Sequence, residues 1–168
     1  MNNVIYYRLS LNLSRLTTSA IAPSSGRYTL EVKTLADDRV FTYINSVMYN
    51  SAQTSIISTK QFVNDGKQLI AFSVINYSGA GAFAAGLLLN GQPIAATGDK
   101  SNWKVSYGDG SQNAPAGWNN NLAFDDSSWS NFTGSCVVQT SYFATAAPGL
   151  QVNGSQPQVL WGPSKTTD

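Results

Sequence analysis

The sequence contains no histidine, one cysteine and one glutamate among its 168 residues. Without histidine the chain cannot form a Ser-His-Asp or Cys-His nucleophile, and it has no imidazole with which to bind zinc or copper. Cys136 lacks a second cysteine for an intramolecular disulfide or a thiolate metal cluster. We therefore expect Cys136 to be a small buried apolar residue.

Hydrolysis by two carboxylates is the enzymatic route that this inventory leaves open. The single glutamate, Glu31, lies on the polar side of a strand pattern. The adjacent pairs Asp37-Asp38 and Asp125-Asp126 lie at expected turns, and neighbours on an extended chain point to opposite faces. We therefore expect the protein not to be an enzyme.

Charge is also scarce, at 11% of residues against about 25% in typical soluble domains. The formal net charge of +1 provides no field to attract nucleic acid or an anionic membrane. The polar surface must instead come from the 34 serines and threonines and the 15 asparagines. Such a neutral surface is more typical of extracellular proteins, and we expect no nucleic-acid partner.

The N-terminal residues 1–4 have no basic region and precede no apolar run with a cleavage site, so we expect no secretory signal here. The longest apolar runs, such as residues 82–89, are too short to cross a bilayer, which predicts no membrane insertion. We therefore expect a protein that has an extracellular type of surface but no export signal.

Strict alternation of apolar and polar residues over 4–13 and 27–34 predicts half-buried antiparallel strands, with Tyr6 and Arg8 on the polar face of the first. No segment shows a helical stripe. Clusters of Gly, Pro, Asn and Asp separate the apolar runs. We predict one all-β domain over residues 1–168, an antiparallel β-sandwich or jelly roll. Further strands are expected at 40–49, 68–77, 83–89, 103–107, 136–143 and 158–161.

Several motifs together resemble galactose-binding-domain-like jelly rolls, modules that accompany bacterial glycoside hydrolases and occur in phage particles. The strongest is the run from Trp103 through Gly117-Trp118 to the Phe-Asp-Asp-Ser-Ser-Trp segment at 124–129. The resemblance extends from about residue 4 to residue 163. Similar motifs lie at 4–11, 36–38, 41–45, 66–77, 83–91 and 160–163.

The chain departs from this pattern in two places. Asn45 is followed by Ser46 rather than glycine, so we expect that turn to differ. The strand at 4–11 follows the segment around Trp161 in the resembled modules, whereas here it opens the chain. This order indicates either a permuted sandwich or an edge strand left for another subunit, because an open edge offers unpaired backbone groups to a partner.

A candidate glycan patch lies in the polar loop around Trp118. An exposed indole offers a face to the C–H groups of a sugar while amides bind its hydroxyls. In the alternative, Trp118 plugs the end of the sandwich and the asparagines are solvated. The patch comprises Trp118, Tyr107, Asp109, Asn119 and Asn120.

In the 124–129 run, we expect Asp125 or Asp126 to cap a turn through the backbone while Trp129 packs inward. Trp103 and Trp161 are likewise expected to pack rather than to bind sugar.

The pair Asp37-Asp38 is a weak candidate for a structural calcium site, which the resemblance allows. Calcium needs six to eight oxygen ligands, and the sequence does not identify the others. No other cofactor is expected.

Two functions remain open. The first is a non-enzymatic structural or adhesive protein on the surface of a virus particle, such as a bacteriophage head-decoration, baseplate or tail-fibre component. Phage proteins are released by lysis and need no export signal. Its partners would be other virion proteins or further copies of itself, with surface glycans as possible ligands. The alternative is a stand-alone carbohydrate-binding module.

Overall fold

A computed structural model describes residues 3–15, 27–53, 57–78, 81–97, 103–107 and 114–131, which form two antiparallel sheets. This confirms the predicted antiparallel β-sandwich. The strands expected at 136–143 and 158–161, with Cys136 and Trp161, lie outside the described residues. The described strands are β1 (Asn3–Asn12), β2 (Arg27–Asp37), β3 (Arg39–Ile44), β4 (Val47–Gln53), β5 (Ile57–Asn64), β6 (Lys67–Asn76), β7 (Ala82–Leu89), β8 (Gln92–Ala96), β9 (Trp103–Tyr107) and β10 (Ser130–Asn131), and a 3-10 turn, Leu13–Arg15, follows β1.

The six-stranded sheet has the order β10-β9-β1-β6-β3-β4, and the four-stranded sheet has the order β5-β2-β7-β8. The main core lies between them and is rich in aromatic side chains. Phe83 on β7 reaches across to Tyr7 on β1, with ring centroids 4.7 Å apart, and to Phe72 on β6, at 5.1 Å. Trp103 is buried as expected, and its Nε1 donates to the carbonyl of Ala96 at 3.0 Å. Burial of each such ring stabilises the sandwich by roughly 1.5–3 kcal/mol.

Residues 114–131 are called the cover below. Residues 114–129 pack against the outer face of the six-stranded sheet, and β10 pairs with β9 at its edge. Val4, Tyr6 and Arg8 belong to this outer face, yet all three are buried. The prediction that Tyr6 and Arg8 lie on a solvated face of a half-buried strand is therefore wrong. The alternation marks two faces correctly, but the cover buries the second one.

The predicted strand 40–49 is interrupted at Asn45 and Ser46, which have φ values of 48° and 79°. Two left-handed residues in a two-residue loop are the geometry of a type I′ hairpin, which joins β3 to β4. The expectation that this turn differs from one with glycine is not met, since Ser46 itself takes the left-handed conformation.

Two strands of the four-stranded sheet were not predicted. β5 is largely polar and its inward positions are only half-buried, except for Val63. β8 contains Pro93, which is unfavourable in a strand interior, and the ladder between β7 and β8 shifts register there. Whether an edge strand is left open for another subunit depends on residues outside the described ranges, so this hypothesis stays a prediction.

Candidate functional site

A groove of about 320 Å³ lies at one end of the sandwich, where four separate segments meet. The β3–β4 turn, the end of β5, the start of β6 and the cover each contribute to its lining. Its volume is at the lower end of the range of about 300–1,000 Å³ found for small-molecule sites.

The floor of the groove is a network of amides that fixes its shape. Asn45 Nδ2 donates to Gln68 Oε1 at 2.6 Å, and Asn45 Oδ1 accepts from the backbone N–H of Leu69 at 2.9 Å. Gln68 Nε2 donates to the carbonyl of Asn64 at 3.0 Å. These bonds tie the β3–β4 turn to the junction of β5 and β6, so the floor is formed before any ligand arrives.

The rim of the groove combines apolar surface with exposed polar side chains. Phe62 is 67% exposed and Leu122 is 46% exposed. Asn64, Lys67 and Asn120 are also exposed and line the same space. An exposed aromatic ring beside amides offers stacking and hydrogen bonding to a ligand of mixed polarity.

Arg8 holds the cover that carries Asn120 and Leu122. Its Nη1 donates to the carbonyl of Trp118 at 3.0 Å and its Nη2 to the carbonyl of Asn121 at 3.2 Å. Its Nε lies 3.3 Å from Asp126 Oδ2, an ion-pair contact. Burial lowers the pKa of the Arg8 guanidinium, and the charge of Asp126 partly offsets this shift.

Trp118 does not present the exposed ring that the candidate patch required. It is 5% exposed and lies 4.8 Å from the Tyr6 ring and 6.3 Å from the Trp129 ring, measured between centroids. The expectation of an exposed platform is therefore corrected, because the indole gains more by covering the outer face of the sheet. The alternative, a plug, is closer to the structure, although the plug covers a sheet face rather than the end of the sandwich.

The other members of the patch are not brought together. Tyr107 is exposed and is opposite Ile5 in the β1–β9 register, whereas Lys67 of the groove is opposite Asn12. Seven residues of strand separate these positions, about 24 Å. Asn119 is half-buried, and Asp109 lies outside the described residues. Of the four described members of the patch, Asn120 alone lines the groove. A role in glycan binding for Tyr107, Asp109 and Asn119 stays a prediction.

The expected roles of the 124–129 run are confirmed. Asp125 Oδ1 accepts from the backbone N–H of Ser127 at 3.0 Å, and hydrogen bonding from Ser127 lowers the pKa of the Asp125 carboxyl. The backbone N–H of Trp129 donates to the carbonyl of Asp126, and the Trp129 ring is buried.

The calcium candidates Asp37 and Asp38 lie where β2 passes into β3. Asp38 Oδ2 accepts from the backbone N–H of Tyr77 at 2.7 Å. Burial, and then the hydrogen bond and charge of Asp38, raise the pKa of the Asp37 carboxyl. The described ranges contain no group of three or more His, Cys, Asp or Glu side chains placed to hold a metal ion. A calcium site here stays a prediction.

The fold is similar to domains of known carbohydrate-related proteins. The lectin of Pleurotus ostreatus in its apo form aligns with a TM-score of 0.58 and 19% identity over 77% of this chain and 35% of the lectin. The same lectin in complex with GalNAc aligns with a TM-score of 0.51, at 18% identity over 75% of this chain and 35% of the lectin. The α-L-rhamnosidase of Streptomyces avermitilis, complexed with L-rhamnose, aligns at 0.56 and 18% identity over 75% of this chain and 12% of the enzyme.

The chain has a galactose-binding-like β-sandwich fold. The resemblance predicted from its motifs is thus confirmed at the level of the fold. The chain spans about a third of the length of the lectin and about an eighth of the rhamnosidase. No protein-family model and no curated protein matches its sequence. Within the described residues, no helix has the length and hydropathy needed to span a bilayer.

The sequence patterns did not identify Phe62 and Lys67 as candidate site residues. A signal was present in β5, where Phe62 is a lone aromatic residue among Ser, Thr, Lys, Gln and Asn. A large apolar side chain on the outward face of a polar strand is a candidate contact residue. Recognising it required β5 to be identified as a strand first.

Proposed function

We propose that this protein is a carbohydrate-binding module whose ligand site is the groove. The observation that carries the proposal is the exposed Phe62 ring on the rim of a preformed, amide-lined concavity. An aromatic face packs against the C–H groups of a pyranose, while Asn64 and Asn120 are placed to exchange hydrogen bonds with its hydroxyls.

The groove supports binding rather than hydrolysis. None of the described lining residues is an aspartate or glutamate, so these residues supply no pair of carboxylates for glycoside hydrolysis. The similarity to part of a rhamnosidase concerns the fold and covers only a small share of that enzyme. The lectin likeness is consistent with glycan binding and identifies no sugar.

The test is a glycan array followed by calorimetric titration of the sugars that bind. Phe62→Ala and Asn120→Ala should each weaken binding by about three- to ten-fold, because each removes one stacking or hydrogen-bonding group. Tyr77→Ala, which removes another exposed aromatic ring outside the groove, is the matched control.

Tyr107→Ala tests the patch predicted from the sequence. If Tyr107→Ala abolishes binding while Phe62→Ala leaves it intact, the ligand site lies at the far end of β9 and the groove assignment is wrong. If no glycan on the array binds, the proposed function is wrong.

A place on the surface of a virus particle remains a separate prediction. The lectin and rhamnosidase likenesses give it no support, and a virion protein can also bind glycans. Mass spectrometry of purified particles would detect the chain if it is a virion component. Analytical ultracentrifugation would show whether it associates with itself.

A further inference from the structure

We propose that the groove selects glycans that carry a negative charge, with Lys67 as the cation that meets a carboxylate or sulfate on the sugar. This inference rests on the proposed function, since it names the ligand class of the same groove. It is argued from the charges and the unused hydrogen-bonding groups of the lining.

Among the described residues, Lys67 is the sole charged one that lines the groove. It is exposed, and the ion pairs in the described ranges, Arg8–Asp126 and Lys60–Glu31, do not involve it. Asp65 lies in the same turn but does not line the groove, and its Oδ1 accepts from the backbone N–H of Gly66 at 2.9 Å. The ammonium group is therefore available to a ligand.

The floor also favours a ligand that is rich in hydrogen-bond acceptors. Asn45 Oδ1 and Gln68 Oε1 already accept hydrogen bonds, from Leu69 N–H and Asn45 Nδ2. Each of these two amides donates one bond within the floor and has a second N–H hydrogen. Together with the three donors of Lys67, these N–H groups offer several hydrogen-bond donors to one ligand. Carboxylate and sulfate groups accept hydrogen bonds without donating any, and charge-assisted bonds to them are stronger than neutral ones.

The described lining residues include no carboxylate, which supports the same conclusion. A negatively charged sugar meets no like charge among them. Because the protein as a whole has a net charge of only +1, selectivity for anions must come from this local arrangement rather than from a general basic surface.

The experiment compares matched sugars with and without an anionic group. Tri-galacturonic acid is titrated beside its fully methyl-esterified form, and 6′-sulfated lactose beside lactose, each at 20 and 300 mM NaCl. We expect about five-fold tighter binding of the charged member of at least one pair at low salt, decreasing at high salt. The pair that shows the preference distinguishes a carboxylate ligand from a sulfate ligand.

Lys67→Gln should remove this preference, so that the charged and neutral members of a pair bind with equal affinity at both salt concentrations. Lys33→Gln makes the same charge change on the outer face of the four-stranded sheet, and it should leave the preference intact. Circular dichroism spectra that match the parent would show that both variants are folded.

Each result decides one of the two proposals. If charged and neutral sugars bind equally through a Phe62-dependent site, the charge proposal is overturned and glycan binding stands. A preference that survives in Lys67→Gln also overturns it. If none of these sugars and no glycan on the array binds, both proposals are overturned.

Discussion

Arg8→Met would test how the cover is held on the sandwich. The substitution keeps an unbranched apolar side chain within the outer face of β1 and removes the guanidinium. It leaves the carbonyls of Trp118 and Asn121 without their donors and Asp126 without its cation. Because the Arg8 side chain is 1% exposed, little water can replace these contacts while the cover stays docked.

The expected loss can be worked from these contacts. Each bond from a charged donor contributes about 1.5–3 kcal/mol, and removing one partner of a buried ion pair costs about 3–5 kcal/mol. The Asp126 side chain is 26% exposed and can be partly hydrated, which reduces its share. Methionine also avoids the desolvation cost that lowers the pKa of Arg8. We expect a net decrease of about 2–4 kcal/mol in the free energy of unfolding.

Urea unfolding followed by tryptophan fluorescence would measure this loss, with hydrogen exchange to locate it. Faster exchange confined to residues 114–131 would show that the cover detaches before the sandwich unfolds. Arg39→Met is the matched control, since Arg39 makes one exposed bond, from Nε to Ser51 Oγ at 2.9 Å, and lies over the Phe41 ring. It should cost less than about 1 kcal/mol. An equally small loss in Arg8→Met would refute the reasoning.

Three further predictions concern single positions. Ser46→Gly should raise the free energy of unfolding by up to about 1 kcal/mol, because glycine adopts the φ of 79° without strain. A lower free energy of unfolding, measured with urea, would contradict this. Trp118→Ala should lower the free energy of unfolding by about 3–5 kcal/mol in the same assay. A loss below about 1 kcal/mol would mean that the indole is not packed as described. The raised pKa of Asp37 means that stability is lost as pH rises from about 4 through the folded value. Asp37→Asn removes this loss, so the free energy of unfolding of the variant relative to the parent should increase over the same pH interval. Urea unfolding at several pH values would measure this difference. A difference that does not change with pH would contradict the assignment.

The fold class was predictable because its signals are local. The alternation along β1 and β2, the turn residues between strands and the capping aspartate before Trp129 each depend on a few neighbouring residues. Such patterns report which residues share a face of a strand. They do not report what covers that face.

The candidate site was not predictable for this reason. Arg8 and Trp118 are 110 residues apart in the sequence and are hydrogen-bonded in the structure. This contact joins the polar-looking face of β1 to the asparagine-rich loop, and each buries the other. Trp118 looked exposed because its neighbours are polar, yet its ring faces the sheet. The groove is formed by four separate segments of the chain. Among its described lining residues, only Asn120 was predicted from the sequence as a candidate site residue.

If the groove binds a glycan as proposed, its division between the cover and the sandwich would make ligand binding and cover docking reciprocal. A ligand that bridges Asn120 to Asn64 or Lys67 binds only molecules in which the cover is docked. Its apparent affinity is therefore reduced in proportion to the undocked fraction. At a ligand concentration of 100 times Kd, docking would gain about 2.7 kcal/mol. Cover mutations far from the sugar would then alter affinity, and the sugar would in turn protect the cover amides from exchange.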